Sequence, residues 1–275
     1  MLQQKYAALL EHIASLESVL LAYSGGVDST FLLRATMDAG VRYLAVTALS
    51  PTMPTHDLEM ANAVVTTLGA HHIHIHARQM ADEKFVRNHE DRCYHCKNDL
   101  FDLLVDHARK EGYRHVLDGS TVDDLADYRP GFAAREKHGV LSPLIVAQLT
   151  KEEIRRLSRE KNLPTWDKPS SPCLSSRFPY GERIDEQALR LVEAAENRLR
   201  QHGFTHLRVR KQGDTARIEI PTAELPRLLE NALRETVVND LRGLGFLFVT
   251  LDLEGLQSGK LNRRLITIRP AEHPS

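Results

Sequence analysis

The segment Ser24-Gly25-Gly26-Val27-Asp28-Ser29 constrains this chain more than any other. It joins an apolar run, Val19-Leu20-Leu21-Ala22-Tyr23, to helix-period residues at Phe31-Leu32-Leu33. A short buried strand that runs through a glycine turn straight into a helix is a phosphate cradle. The two glycines permit positive φ and let backbone N–H groups approach an anion closely. Hydroxyls from Ser24 and Ser29 add donors, and the helix N-terminus adds its positive dipole end. Asp28 among phosphates makes sense as a Mg²⁺ contact or as a fixer of the loop. The Gly-Lys-Ser/Thr ending of a Walker A loop is missing. A strand-to-helix turn that merely favours glycine is the bland alternative, and the agreement of hexapeptide, strand and helix outweighs it.

The same alternation continues. Tyr43 to Leu49 and His71 to His76 read as strands around a helix with Thr55 as its cap candidate. A helix is expected over Asn98 to Lys110, followed by a short strand at His115-Val116-Leu117. Thr150-Lys151-Glu152-Glu153 is a capping box that opens a helix to about Lys161. Strands alternating with helices predict an α/β domain with a parallel sheet covered on both faces. The pattern breaks between Pro164 and Tyr180, where Pro164, Pro169, Pro172 and Pro179 exclude a helix interior or central strand. The expected domains are therefore 1–166 and 167–275. In the second, Asp185 to His202 is helical. Leu207 to Arg210 and Ala216 to Ile220 alternate as a hairpin about Gln212-Gly213-Asp214. A helical stretch from Ala223 to Leu241 and a strand from Phe246 to Leu251 complete a smaller α+β domain.

Composition limits the functional classes. With 36 Lys and Arg against 37 Asp and Glu, the formal charge is −1, which argues against a nucleic-acid backbone as the main partner. No run approaches the roughly 20 apolar residues of a membrane span. The N-terminus reads as an amphipathic helix without a signal-peptide core, so a cytoplasmic protein with no membrane partner is expected. Three cysteines, Cys93, Cys96 and Cys173, do not make a disulfide framework; they suggest a metal or reactive site.

The hexapeptide resembles the loop of the PP-loop, or N-type, ATP pyrophosphatases. That resemblance implies cleavage between the α- and β-phosphates of ATP and an adenylated substrate. Asp118-Gly119-Ser120-Thr121-Val122-Asp123-Asp124 resembles a second loop near the nucleotide in that superfamily, which would add Gly119 and Asp123 to Ser24, Gly25, Gly26, Asp28 and Ser29 as ATP contacts. On the bland reading it is a polar turn, and spacing does not decide between the two.

The run Pro169-Ser170-Ser171-Pro172-Cys173-Leu174-Ser175-Ser176-Arg177-Phe178-Pro179-Tyr180-Gly181 resembles the LarE branch of these enzymes, and the resemblance spans the whole chain. It implies an ATP-dependent sulfur transferase acting on a pyridinium carboxylate mononucleotide in nickel-pincer cofactor synthesis, with Cys173 as the sulfur-handling residue. The chemistry suits these residues: adenylation gives a carboxylate a good leaving group, which sulfur then displaces. Prolines, serines and Arg177 around Cys173 suit a thiolate better than a buried structural cysteine.

Cys93-Tyr94-His95-Cys96 on its own is compatible with half a zinc site, a redox pair or part of an iron–sulfur site. By resemblance to a three-cysteine subset of LarE, Cys93, Cys96 and Cys173 would hold a 4Fe–4S cluster and sulfide or another donor would supply sulfur. Sacrifice of the Cys173 sulfur is the alternative. Arg208 and Arg210 share one strand face and suit a phosphate; the resemblance adds Ser176 and Arg177 beside them. A solvated strand face is the bland reading of the arginines, and a half-buried strand with a polar face is that of His72, His74 and His76. A PP-loop tRNA thiolase and a nucleotide-binding regulatory module are the competing functions, and the C-terminal helices are expected to support a homo-oligomer.

Overall fold

The computed structural model describes residues 1–126, 131–257 and 259–263. Its contacts divide the chain into two units, Met1–Phe85 with Asp91–Pro172, and Val86–Glu90 with Cys173 onward. The proline-rich segment expected to open the second domain at 167 belongs to the first unit as far as Pro172. Lys168 and Ser171 are both bonded to Asp57, and those bonds hold the segment to the first unit.

The first unit is α/β, as expected. In chain order it contains α1 (Leu2–Ala14), β1 (Ser18–Ala22), α2 (Val27–Asp38), β2 (Arg42–Leu49), α3 (Thr55–Leu68) and β3 (His72–His76). After α4 (Glu83–Val86) come α5 (Arg92–Glu111), β4 (His115–Leu117), α6 (Gly131–Lys137), α7 (Pro143–Val146) and α8 (Lys151–Glu160). The strands form one sheet in the order β3-β2-β1-β4, and every pairing is parallel. Alternate residues of β1 serve opposite faces. Val19 and Leu21 join a core with α1, α2 and α8, while Leu20 joins Val46, Val116 and residues of α5 and α6. Because both faces are covered, β1 must read as a continuous apolar run, and it does. Chain order reverses beside β1, whose neighbours are β2 and β4. In open α/β sheets such a switch leaves a crevice at the strands' carboxyl ends.

Helix α8 starts at the expected capping box: the Thr150 side chain accepts from the Glu153 N–H, and Glu153 accepts from the Thr150 N–H. Helix α5 begins at Arg92, well before the expected Asn98. The stretch Arg92 to Lys97 shows little apolar periodicity, but Arg92 is buried and Tyr94 packs against the core, so tertiary contacts extend the helix. Cys93 and Cys96 therefore lie on one face of its first turn.

In the second unit α9 (Glu186–Gln201) is capped by Asp185, whose carboxylate accepts from the Ala188 N–H at 2.7 Å. Strands β5 (Arg208–Gln212) and β6 (Thr215–Glu219) form the expected antiparallel hairpin about Gly213 (φ 54°). The expected single helix from Ala223 is two, α10 (Leu225–Leu228) and α11 (Asn231–Gly243), since Glu230 is extended between them. Strand β7 (Phe248–Leu251) pairs parallel to β6. Among the described residues no helix is long and apolar enough to cross a membrane.

Candidate active site

A cavity of about 320 Å³ opens at the carboxyl ends of the first unit's strands. Ser24, Gly26, Asp28 and Ser29 line it from the loop after β1, Thr47 and Ala48 from β2, and Asp118, Gly119, Ser120 and Asp124 from the segment after β4. Lys97 and Phe101 of α5 and Phe132 of α6 complete the wall. Apolar and aromatic groups beside a polar glycine turn suit a ligand with a flat ring and an anionic tail.

The two loop glycines have different tasks. Gly25 takes φ 70°, and a Cβ there would lie 2.4 Å from the Ala61 Cβ, so conformation and space both demand glycine. Gly26 sits at φ −79° as the residue before α2, so the expectation of positive φ holds for Gly25 alone. Its freedom from a side chain instead leaves the backbone open to the cavity. Ser29 Oγ braces the turn, lying 3.0 Å from Ser24 Oγ and 3.3 Å from the Ser24 N–H. Gly119 is needed for close approach: a Cβ would stand 3.1 Å from the Ser29 nitrogen. Gly25→Ala should therefore cost about 2–4 kcal/mol of stability and abolish nucleotide binding. Thermal melts and ATP calorimetry measure the two effects, and an unchanged melting temperature would contradict them.

Electrostatics single out Asp28. Burial is the main cause that raises its carboxyl to about 6; Asp124 and Asp123 add to this, while Lys151 and Arg155 oppose it. The other two pocket carboxylates are engaged. Asp124 meets Lys151 Nζ at 2.6 Å, and Asp118 accepts from Ser142 Oγ at 2.5 Å and Ser120 Oγ at 2.7 Å. Asp28 accepts no hydrogen bond from any described residue. A partly buried carboxylate without a hydrogen-bond donor among the described residues, in an oxygen-rich cleft, fits a hard divalent cation.

The expected nucleotide contact Asp123 is not in the cavity wall; its carboxylate accepts from the Lys151 N–H at 2.8 Å, at the start of α8. Asp124 occupies the wall instead. Asp118 was legible as the residue at the end of β4, but its place in the wall was not. Lys97 gave no signal, because the expected helix began one residue after it.

In the second unit, Cys173 is exposed and precedes the 3₁₀ turn Leu174–Arg177. Two arginines hold that turn's backbone: Arg177 Nη1 donates to the Cys173 carbonyl at 3.3 Å, and Arg210 Nη1 to the Ser176 carbonyl at 2.8 Å. Both guanidiniums are buried against carboxylates, Arg177 on Glu196 at 2.8 Å and Arg210 on Glu219 at 2.6 Å. Arg208 differs. It is half-buried, and among the described residues it donates only to the Gln257 carbonyl, at 3.4 Å. Burial, then Arg177 and Arg210, lower its pKa, while Glu219 and Glu196 oppose the shift. Arg208 and Arg210 share a strand face, but among the described residues Arg210 is held by Glu219 while Arg208 meets no carboxylate and can face an anion; Ser176 Oγ already accepts from Arg177 at 3.0 Å.

None of Cys93, Cys96 and Cys173 forms a disulfide among the described residues; Cys93 is exposed and Cys96 partly so. Among the described residues, no group of three or more Cys, His, Asp or Glu side chains is gathered for a metal ion. On β3, His72 donates Nε2–H to Thr47 Oγ1 at 2.9 Å, since the Thr47 hydroxyl proton serves the Tyr23 carbonyl. Burial, then His74, lowers the His72 pKa to about 4, so the ring is neutral. His74 Nε2 pairs with Asn62 Oδ1 at 2.9 Å.

The Ser-Gly-Gly-Val-Asp-Ser turn between strand and helix, at the switch point of a parallel sheet, is the arrangement of the PP-loop ATP pyrophosphatase class. No family model matches the chain. It is 37% identical over 266 residues, 96% of each chain, to the pyridinium-3,5-bisthiocarboxylic acid mononucleotide synthase of Lactiplantibacillus plantarum. The chain belongs to the family of that synthase, the LarE family. It is also 44% identical, over 96% of its length and 99% of the relative's, to an uncharacterized protein of Synechocystis. A tRNA-specific 2-thiouridylase of Desulforamulus reducens is more distant, at 25% identity over 62% of this chain and 58% of its own.

Proposed function

We propose that this chain is an ATP-dependent sulfur transferase that converts a pyridinium carboxylate mononucleotide to the thiocarboxylate. The observation that carries the reading is an exposed cysteine on an arginine-braced turn, Cys173, in a chain that also holds the PP-loop cavity. The relative's name supports the substrate class.

The Gly26 backbone, Ser24, Ser29 and the α2 N-terminus hold the ATP phosphates, with Gly119 packed behind the loop. Asp28 would hold Mg²⁺, which supplies charge neutralisation at the phosphates when bound. The substrate carboxylate attacks the α-phosphorus, pyrophosphate leaves, and an acyl adenylate forms. A hydrosulfide sulfur then bonds to the acyl carbon and gives up its proton as the acyl–oxygen bond breaks, so AMP departs with the carboxyl oxygen and the thiocarboxylate remains. On the sacrificial route the Cys173 thiolate forms a thioester in its place, and loss of the Cys173 α-proton breaks the Cβ–S bond, leaving dehydroalanine. In the second unit Arg208 attracts the mononucleotide's phosphate, while Ser176, Arg177 and Arg210 keep the Cys173 turn in shape.

An iron–sulfur cluster belongs to the proposal on the chemistry of its donors, which are soft sulfurs: Cys93 and Cys96 a turn apart on α5, and Cys173 exposed in the second unit. Cys93, Cys96 and Cys173 would hold it; when bound, a 4Fe–4S cluster with an open iron position supplies a place for an extra sulfide. We place the protein in the cytoplasm, as a homo-oligomer that draws on sulfide or another small donor.

Cys173→Ala should retain ATP binding and lose sulfur transfer altogether; transfer at the unsubstituted rate would overturn the reading. Iron and sulfide assay after anaerobic purification, with mass spectrometry after turnover, separates the two sulfur routes. A colourless protein that loses the Cys173 sulfur means sacrifice rather than a cluster.

A further inference from the structure

The backbone of Gly25 is gripped from two directions. Its α-carbon abuts Ala61, and its carbonyl accepts from Lys168 Nζ at 3.2 Å. Lys168 Nζ also meets Asp57 Oδ1 at 3.0 Å, with only 9% and 12% of the two side chains exposed. Asp57 and Ala61 lie one turn apart on α3, so both grips come from one helix face. The other Asp57 oxygen accepts from Ser171 Oγ at 2.5 Å. The lysine's own backbone is anchored too: Arg155 donates to the Trp166 carbonyl at 2.8 Å and to the Lys168 carbonyl at 2.7 Å.

A buried ammonium–carboxylate pair contributes little that well-packed apolar residues would not, because both charges must be stripped of water. What apolar residues cannot do is orient a peptide plane. The Gly25–Gly26 peptide is trans and planar, so a carbonyl fixed toward Lys168 turns the Gly26 N–H the opposite way. Gly26 lines the cavity, and its N–H donates to no described residue. We propose that Lys168, held by Asp57, is a positioning residue that locks this peptide with the Gly26 N–H presented to a nucleotide phosphate. The proposal rests on the reading of the cavity as the ATP site.

The test is calorimetric titration of MgATP into the full chain, paired with thermal melts. Lys168→Met should weaken ATP binding about tenfold or more, the worth of a charge-assisted hydrogen bond. Lys168→Arg, which still donates to the carbonyl, should bind within about threefold of the parent. Because Lys168→Met leaves Asp57 buried without its cation, the double variant Lys168→Met with Asp57→Leu is decisive. It should recover thermal stability without recovering ATP affinity. Recovery of both, or unchanged affinity in Lys168→Met, would overturn the assignment and leave the pair a structural staple. An unsubstituted protein that binds no MgATP would overturn the nucleotide reading itself, and the assignment with it.

Discussion

Asp28→Asn should abolish pyrophosphate release and, at the same time, make the ligand-free protein more stable at neutral pH. The carboxyl is raised to about 6 mainly by burial, against roughly 3.9 in an unfolded chain. Between these values the folded state binds more protons than the unfolded one, so stability falls as pH rises through that window and stays lower above it. Replacing the ionised group with a neutral amide removes that cost, about 1–3 kcal/mol at pH 7. The lost catalysis is larger: a cation that neutralises phosphate charge is worth several kcal/mol, or ~100-fold or more in rate. Melting curves at pH 5 and pH 7 measure the first effect, since the variant's advantage should shrink at the lower pH. Pyrophosphate release measures the second. A variant less stable than its parent at pH 7 would show that Asp28 is not a strained, waiting ligand.

The other large effect is expected from Glu196→Ala. Glu196 is fully buried; it accepts from Arg177 Nε at 2.8 Å, from Arg200 Nη2 at 3.2 Å and from the Val209 N–H at 3.1 Å. Removal leaves the Arg177 guanidinium buried without its carboxylate and takes away the Val209 N–H acceptor, at a cost of about 3–5 kcal/mol. Arg177 also holds the Cys173 carbonyl, so the damage reaches the turn proposed to handle sulfur. Urea denaturation should show the second unit destabilised, and sulfur transfer should fall in step. Glu196→Gln keeps the acceptor oxygen and should lie between the two. An unchanged urea midpoint in Glu196→Ala would mean that the arginine finds other partners.

Much of the fold was legible, for local reasons. The β1 run, the glycine turn and α2 declare themselves because a strand buried on both faces, a positive-φ residue and a helix start each restrict composition over a few adjacent positions. The Thr150 box and the Gly213 hairpin were readable for the same reason. The start of α5 was not, since Arg92 and Tyr94 are brought into the helix by burial rather than by apolar spacing. The choice of Asp124 over Asp123 for the cavity wall depends on a 3₁₀ turn, Val122–Ala126, whose rotation two adjacent aspartates do not reveal.

The sequence by itself determined that a glycine turn of phosphate-cradle type follows the first strand, and that a cysteine stands in a proline- and serine-rich turn. Both are contiguous patterns, in which backbone conformation and side-chain chemistry reside in neighbouring residues. Tertiary structure alone decided what the charges do. Among the described residues, Arg177 and Arg210 are committed to buried carboxylates, Arg208 meets only a carbonyl, Asp28 accepts no hydrogen bond, and Lys168 grips a loop far away in the chain. The reason is physical: a charged side chain's role depends on its desolvation and on which opposite charge packs against it, and neither is a property of the residues beside it.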